Sequence, residues 1–118
     1  MNAKIKTLTN QQVKFLKKKF KPLKFNADFH LVYESQIPNT GIVLLDGQIT
    51  FIHKRKKLPQ VGKGLIFGIY ELLNNIPSMH GCLVVGNSEL IMIQKTDIIE
   101  AMESKNCELF EIIKEHLA

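Results

Sequence analysis

Between Leu23 and Gln94 the chain breaks into short apolar runs, most of them set off by Pro, Gly, Asn or Asp, and this punctuation leaves few folds open. Leu23–Phe25 and Phe29–Tyr33 read as strands. Ile37–Gly41 holds Pro38, Asn39 and Gly41 and reads as a turn cluster. Ile42–Leu45 and Gln48–His53 flank Asp46-Gly47, and Asp-Gly between apolar runs predicts a tight hairpin. Lys54-Arg55-Lys56-Lys57 reads as the tip of the next hairpin, with Leu58–Val61 returning and Gly62 and Gly64 turning the chain again. Cys82–Val85 and Leu90–Gln94 read as a last strand pair across Gly86-Asn87. Strands this closely spaced, with turn signals between them, imply a sandwich or jelly roll.

Helical spacing appears at the two ends. Residues 10–21 place Val13, Leu16 and Phe20 on one face, with Asn10 as the expected cap and Pro22 as the stop. The opposite face is Lys14, Lys17, Lys18, Lys19 and Lys21. Such a helix can lie on a membrane or an acidic groove, but at about three turns its apolar face is expected to dock on the domain. Ile69–Asn74 fits one or two helical turns. Thr96 or Asp97 is expected to cap a closing helix with Ile98, Ile99 and Met102 inward. A further helix from Ser104 to Leu117 carries Leu109, Ile112, Ile113 and Leu117 at helical spacing. The expected organisation is one domain: a basic helix in 1–22, a β-roll in 23–95 with its short internal helix, and helices in 96–118.

The 118 residues suffice for one core, and at 45% hydrophobic and 23% charged they match a globular domain. Cys82 and Cys107 stand in no metal or redox spacing and read as reduced thiols. No apolar run reaches the length of a signal peptide or a membrane span, so a cytoplasmic, non-integral protein is expected. Charge is polarised. Residues 1–63 hold 13 Lys and Arg against 3 Asp and Glu, and residues 64–118 hold 3 against 8. The basic half suits an acidic partner, or is a solvated face.

One stretch carries more information: Gly64-Leu65-Ile66-Phe67-Gly68-Ile69-Tyr70-Glu71-Leu72-Leu73-Asn74-Asn75-Ile76-Pro77-Ser78-Met79. It resembles the phosphate-binding cassette of the cyclic-nucleotide-binding domain family, in which Gly-x-x-Phe-Gly-Glu precedes a short helix and then Pro-Arg-Ala. Gly64, Phe67, Gly68, Leu72, Leu73 and Pro77 match without a gap. Val32–Gln36, Val43–Ile49, and Glu89–Ile93 with Asp97–Ile99 resemble further family segments in register, so the likeness covers about residues 20–103. It implies a mainly β fold with flanking helices: a double-stranded β-helix, or jelly roll, like that of the cyclic-nucleotide-binding domains.

A cyclic nucleotide offers an anionic phosphate and a ribose hydroxyl. The phosphate calls for a fork-shaped cation and backbone N–H groups, and the hydroxyl for a polar acceptor. The resemblance implies that Glu and Arg supply these at the positions held here by Ile69 and Ser78. Each lost charge-assisted bond removes about 1.5–3 kcal/mol, and both together weaken binding by roughly 10² to 10⁴ fold. Gly68, Ile69, Ser78 and Met79 thus mark either a vestigial, filled pocket or a greasy one reused for another ligand. Asp28 and Ser35 stand where the family has glycine.

Nothing else suggests chemistry. His30, His53, His80 and His116 are scattered without metal-ligand spacing, Glu34 and Asp46 have no evident partner, and Ser78 has no elbow motif or base. No catalytic residue, metal or cofactor is expected, and cyclic nucleotide binding least of all. Lys54, Arg55, Lys56 and Lys57 form a candidate partner-binding tip; without interleaved aromatics it suits protein better than single-stranded nucleic acid. No helix-turn-helix follows before Ala118. The expectation is a stand-alone regulatory or adaptor domain that contacts a partner protein, an acidic one where the basic half is used, and does not bind cyclic AMP or cyclic GMP tightly. Alternatives are a sensor of a non-standard ligand such as a cyclic dinucleotide, and a basic binder of nucleic acid or membrane surface through residues 14–24 and 54–57. Residues 104–118 offer a homodimer stripe, or a stripe that covers the chain's own roll.

Overall fold

The computed structural model describes residues 7–59 and 64–117. The expected turn at Gly62, the end of the Leu58–Val61 return and the first six residues of the basic segment lie outside the described residues. The elements are α1 (Asn10–Lys19), β1 (Leu23–Phe25), β2 (Phe29–Val32), β3 (Thr40–Asp46), β4 (Ile49–His53), β5 (Lys56–Lys57), β6 (Leu65–Phe67), α2 (Ile69–Asn74), β7 (Gly81–Val84), β8 (Ser88–Gln94), α3 (Lys95–Ser104) and α4 (Glu108–Leu117). The strands form two antiparallel sheets, ordered β1-β8-β3-β6 and β2-β7-β4-β5. This is the mainly β jelly roll with flanking helices that the strand punctuation implied.

Two expected hairpins are corners instead. β3 and β4 sit in different sheets, and so do β7 and β8. Asp46-Gly47 and Gly86-Asn87 therefore carry the chain across the roll. Gly47 has φ +97, and a Cβ there would collide with the Ser88 side chain. Ser88 ties the two corners together: its Oγ accepts from Gln48 N at 3.1 Å and its hydroxyl donates to the Val85 carbonyl. A hairpin and a corner need the same left-handed backbone, so the turn residues alone do not distinguish them.

Alternation along the strands builds two cores. Ile42 and Leu44 of β3, Leu65 of β6 and Leu90 of β8 face the roll interior with Val32, Ile49, Phe51, Cys82 and Val84. Their neighbours Val43, Leu45, Ile66, Ile91 and Ile93 face a second cluster under the helices, with Leu16, Ile98, Leu109, Ile112 and Ile113. β3 is consequently apolar on both faces, as a strand between two layers must be. Gly41 is not a turn residue. It lies in β3, where a Cβ would come within 2.8 Å of Ile69 Cγ1 and 3.2 Å of Ile98 Cδ1, so its missing side chain lets α2 and α3 seat on the sheet.

The helices depart from expectation at their ends. Thr9, not Asn10, caps α1 through a capping box with Gln12, and the helix stops at Lys19, with Phe20 already extended. α3 starts at Lys95 after an uncapped Gln94, and Ile99 is exposed, not inward. α3 and α4 are separate, broken at Lys105 in the left-handed conformation. Gln12 Nε2 donates to Glu115 Oε2 at 2.9 Å, joining α1 to α4. Leu109, Ile112 and Ile113 are buried in the chain's own core.

Candidate functional site

β6 leads into the cassette. Gly68 takes φ +86 at the N-cap of α2, and a Cβ there would lie 3.3 Å from the Thr40 carbonyl. Phe67 stays with the roll interior and meets Phe51 edge to face, ring centroids 5.3 Å apart. Ile69 turns the other way. It is 5% exposed and belongs to the cluster beneath the helices, together with Leu72 and Ile98. The position that the family resemblance gives to a ribose-binding Glu is thus part of the layer that seats α2 and α3.

Ser78 is half-buried, and its hydroxyl donates to the His80 carbonyl at 2.7 Å. Its backbone does more. Ser78 N donates to Gln36 O at 2.9 Å, and Ser35 N donates to Ser78 O at 2.8 Å. These reciprocal bonds strap the end of the cassette to the turn after β2. Ser35 takes φ +69, the conformation a family glycine would supply, and Asp28 Oδ1 accepts from Gly86 N at 2.8 Å. Met79, beside the strap, is 68% exposed.

A third segment joins there. β4 and β5 form a true hairpin whose last pair is His53 with Lys56, so its tip is Lys54-Arg55 alone and Lys56-Lys57 begin the return strand. Lys54 has φ +51 and Arg55 φ +67. A two-residue hairpin loop with positive φ at both positions favours Asn-Gly, and an L side chain there costs about 1–2 kcal/mol per residue. The Lys54 backbone N–H first, and that of Arg55 after it, hold the nearby Glu34 carboxyl below its ordinary value, against the opposing effect of burial. Since a depressed carboxyl stabilises only while ionised, this support is complete at neutral pH and fades as pH falls through the folded pKa. Glu34 Oε2 also lies 3.7 Å from His53 Nδ1. Arg55→Gly should raise stability by about 1 kcal/mol, read from the urea midpoint. A lower midpoint would mean that the Arg55 side chain itself supports the fold.

Sequence reasoning left Glu34, His53 and His80 without partners, and the structure brings them together. His53 Nδ1 lies 3.2 Å from Met79 O; a carbonyl can only accept, so that nitrogen carries the proton. The His53 and His80 rings are 5.1 Å apart. Burial pushes His80 down from its ordinary pKa, and His53 pushes it further. The contacts join residues 34, 53–55 and 78–80, too far apart for any local pattern. The available signal was the register that puts Glu34 at a family acid, next to a tip with no glycine.

The side chains of Lys54, Arg55, Lys56 and Lys57 are exposed, and among the described residues no carboxylate is paired with any of them. Burial drives the Cys82 thiol up to about 12, so it is inert. Cys107 is exposed, and its thiol is pulled down by the Ser104 hydroxyl 3.5 Å away. Among the described residues no three His, Cys, Asp or Glu come together as a metal-ligand set, and no helix is long and apolar enough to cross a membrane. An open cleft of about 350 Å³ lies away from the cassette, lined by Lys24, Phe25, Asn26, Asp46, Asn87, Ser88 and Glu89.

No protein-family model matches the sequence, and no curated protein matches it. Solved structures do match. The chain is similar to the catabolite activator protein of Thermus thermophilus, with 16% identity and a TM-score of 0.66 over 83% of this chain, and it spans 48% of that protein's length. It is similar to a protein solved in work on a cyclic-GMP-dependent signalling pathway that regulates bacterial phytopathogenesis, with 17% identity, a TM-score of 0.75, and coverage of 92% of this chain and 89% of that one. A cyclic nucleotide-binding-like protein from Brucella abortus matches with 22% identity and a TM-score of 0.61 over 81% of this chain and 85% of that one. At these identities the likeness is one of fold. The chain has the β-roll fold of the cyclic-nucleotide-binding domains.

Proposed function

We propose that this chain is a regulatory domain of the cyclic-nucleotide-binding kind that works by contact with another protein and does not bind cyclic AMP or cyclic GMP tightly. The observation that carries this reading is the placement of Ile69. At 5% exposure it packs beneath the helices and has no hydrogen-bonding group to offer a ribose. Ser78 supports it: the side chain is neutral and already bonded to His80 O, so it provides no charge for a phosphate. The cassette end is meanwhile strapped by the chain's own backbone, which removes the need for a ligand to order it. No group in this arrangement is set up for catalysis, and the domain acts by presenting a surface.

Isothermal titration calorimetry with cyclic AMP and with cyclic GMP tests the nucleotide part. Dissociation constants weaker than micromolar are expected, following from the two missing charge-assisted bonds. Micromolar or tighter binding of either nucleotide overturns the reading.

A further inference from the structure

The strap brings together side chains that sequence order keeps apart. Tyr33 (60% exposed), Ile37 (40%), Ile76 (39%) and Met79 (68%) all lie on or beside the segments that the Ser35–Ser78 and Ser78–Gln36 bonds join. Large apolar groups gathered this way on a surface mark an interaction site far more than single exposed ones do. His53 attaches the β4–β5 hairpin to the same junction, its Nδ1 3.2 Å from Met79 O and 3.7 Å from Glu34 Oε2. The Lys54, Arg55, Lys56 and Lys57 charges stay exposed at its edge. The hairpin holds two cations, Lys54 and Arg55, on a strained tip where uncharged Asn-Gly would sit without strain, and two more, Lys56 and Lys57, at the start of its return strand.

We propose that this junction is a docking surface for an acidic amphipathic segment of a partner protein, with the partner's apolar side chains on Tyr33, Ile37, Ile76 and Met79 and its carboxylates against Lys54–Lys57. The proposal deepens the reading of a protein-contact domain and rests on it. Charge complementarity selects the partner: the four side-chain cations of Lys54–Lys57 have no carboxylate of their own among the described residues. An anionic lipid surface fits less well. Glu34 carries a negative charge inside the junction, and Ser35 and Ser78 interrupt its apolar side chains, so a bilayer would meet a carboxylate beside its headgroups. A peptide can place its own carboxylates at the tip and keep clear of Glu34.

The test is a titration of the isotope-labelled chain, followed by amide chemical shifts. One probe is a peptide of Asp and Glu with Leu and Phe at helical spacing. The second has Ser in place of each Leu and Phe. The third is vesicles of phosphatidylcholine with phosphatidylserine. The first peptide should shift the amides of 33–37, 53–57 and 76–80 and bind at least roughly tenfold more tightly than the second. Met79→Glu should weaken it roughly thirtyfold, and Lys56→Glu with Lys57→Glu roughly tenfold. Both sites are exposed, so the variants should keep the parent's shift dispersion. Lys14→Glu with Lys17→Glu, exposed on α1 and outside the proposed surface, should leave affinity unchanged. The proposal fails if shifts centre on Lys14–Lys21, if the two peptides bind alike, if no shift appears at millimolar peptide, or if vesicles displace the first peptide. Tight nucleotide binding in the calorimetry would sink the wider reading while leaving these peptide outcomes as they stand, so the two failures are separable.

Discussion

Ile69→Glu is expected to destabilise the domain by about 4 kcal/mol or to stop it folding. The substitution restores the residue that the family resemblance places at this position, so a sequence comparison alone would rate it benign and even expect it to recover nucleotide affinity. The structure argues otherwise. Ile69 lies beneath the helices with Leu72, Ile98 and Ile113. Its Cγ1 would sit 2.8 Å from any Cβ added to Gly41, so the contact is tight. A carboxylate there would lie among apolar side chains, and no cation belongs to that cluster. Ile69→Val should cost only about 1 kcal/mol, since it trims one methyl. Urea denaturation of both variants checks the pair. If Ile69→Glu stays within about 1 kcal/mol of the parent, the residue is not in the core and the argument against nucleotide binding loses its main support.

The second large effect is expected at a corner. Gly47→Ala should cost about 3 kcal/mol, from two sources that act together. The φ of +97 lies outside the comfortable range of an L residue, and a new Cβ would fall 2.7 Å from the Ser88 backbone Cα. Backbone cannot swing aside as a flexible side chain would. Asn87, at the neighbouring corner with φ +65, offers the contrast: Asn87→Gly should be neutral or mildly stabilising. Thermal unfolding of both variants distinguishes a crowded corner from a merely left-handed one. A Gly47→Ala variant as stable as the parent would mean that the two corners are not held against each other through Ser88.

The fold was legible from the sequence in its strands and less so in their pairing. Apolar runs and turn residues mark where β3, β4, β7 and β8 begin and end. Asp46-Gly47 and Gly86-Asn87 do not tell which sheet receives the next strand, because hairpins and corners share the same left-handed backbone. Gly41 reads as a turn beside Pro38 and Asn39, yet its role is close approach, a property of the layer above it. The α2 span from Ile69 to Asn74 was legible because the cassette spacing is local. The direction of the Ile69 side chain was not, since that depends on which face of the roll the helix covers. The basic run from Lys54 to Lys57 could be read, but not that only Lys54-Arg55 turn, and the attachment of the hairpin to Glu34 and Met79 through His53 arises from contacts across the whole β-rich region.

The junction of turn, tip and cassette is fastened chiefly by main-chain groups: Ser35 N to Ser78 O, Ser78 N to Gln36 O, and Met79 O to the His53 ring. Main-chain bonds are indifferent to most side-chain replacements. The architecture at this end of the roll is therefore decoupled from the identity of Tyr33, Ile37, Ile76 and Met79, whose exposed side chains can be exchanged at little cost in stability. Such a surface is evolvable: new recognition chemistry can be written onto it one residue at a time.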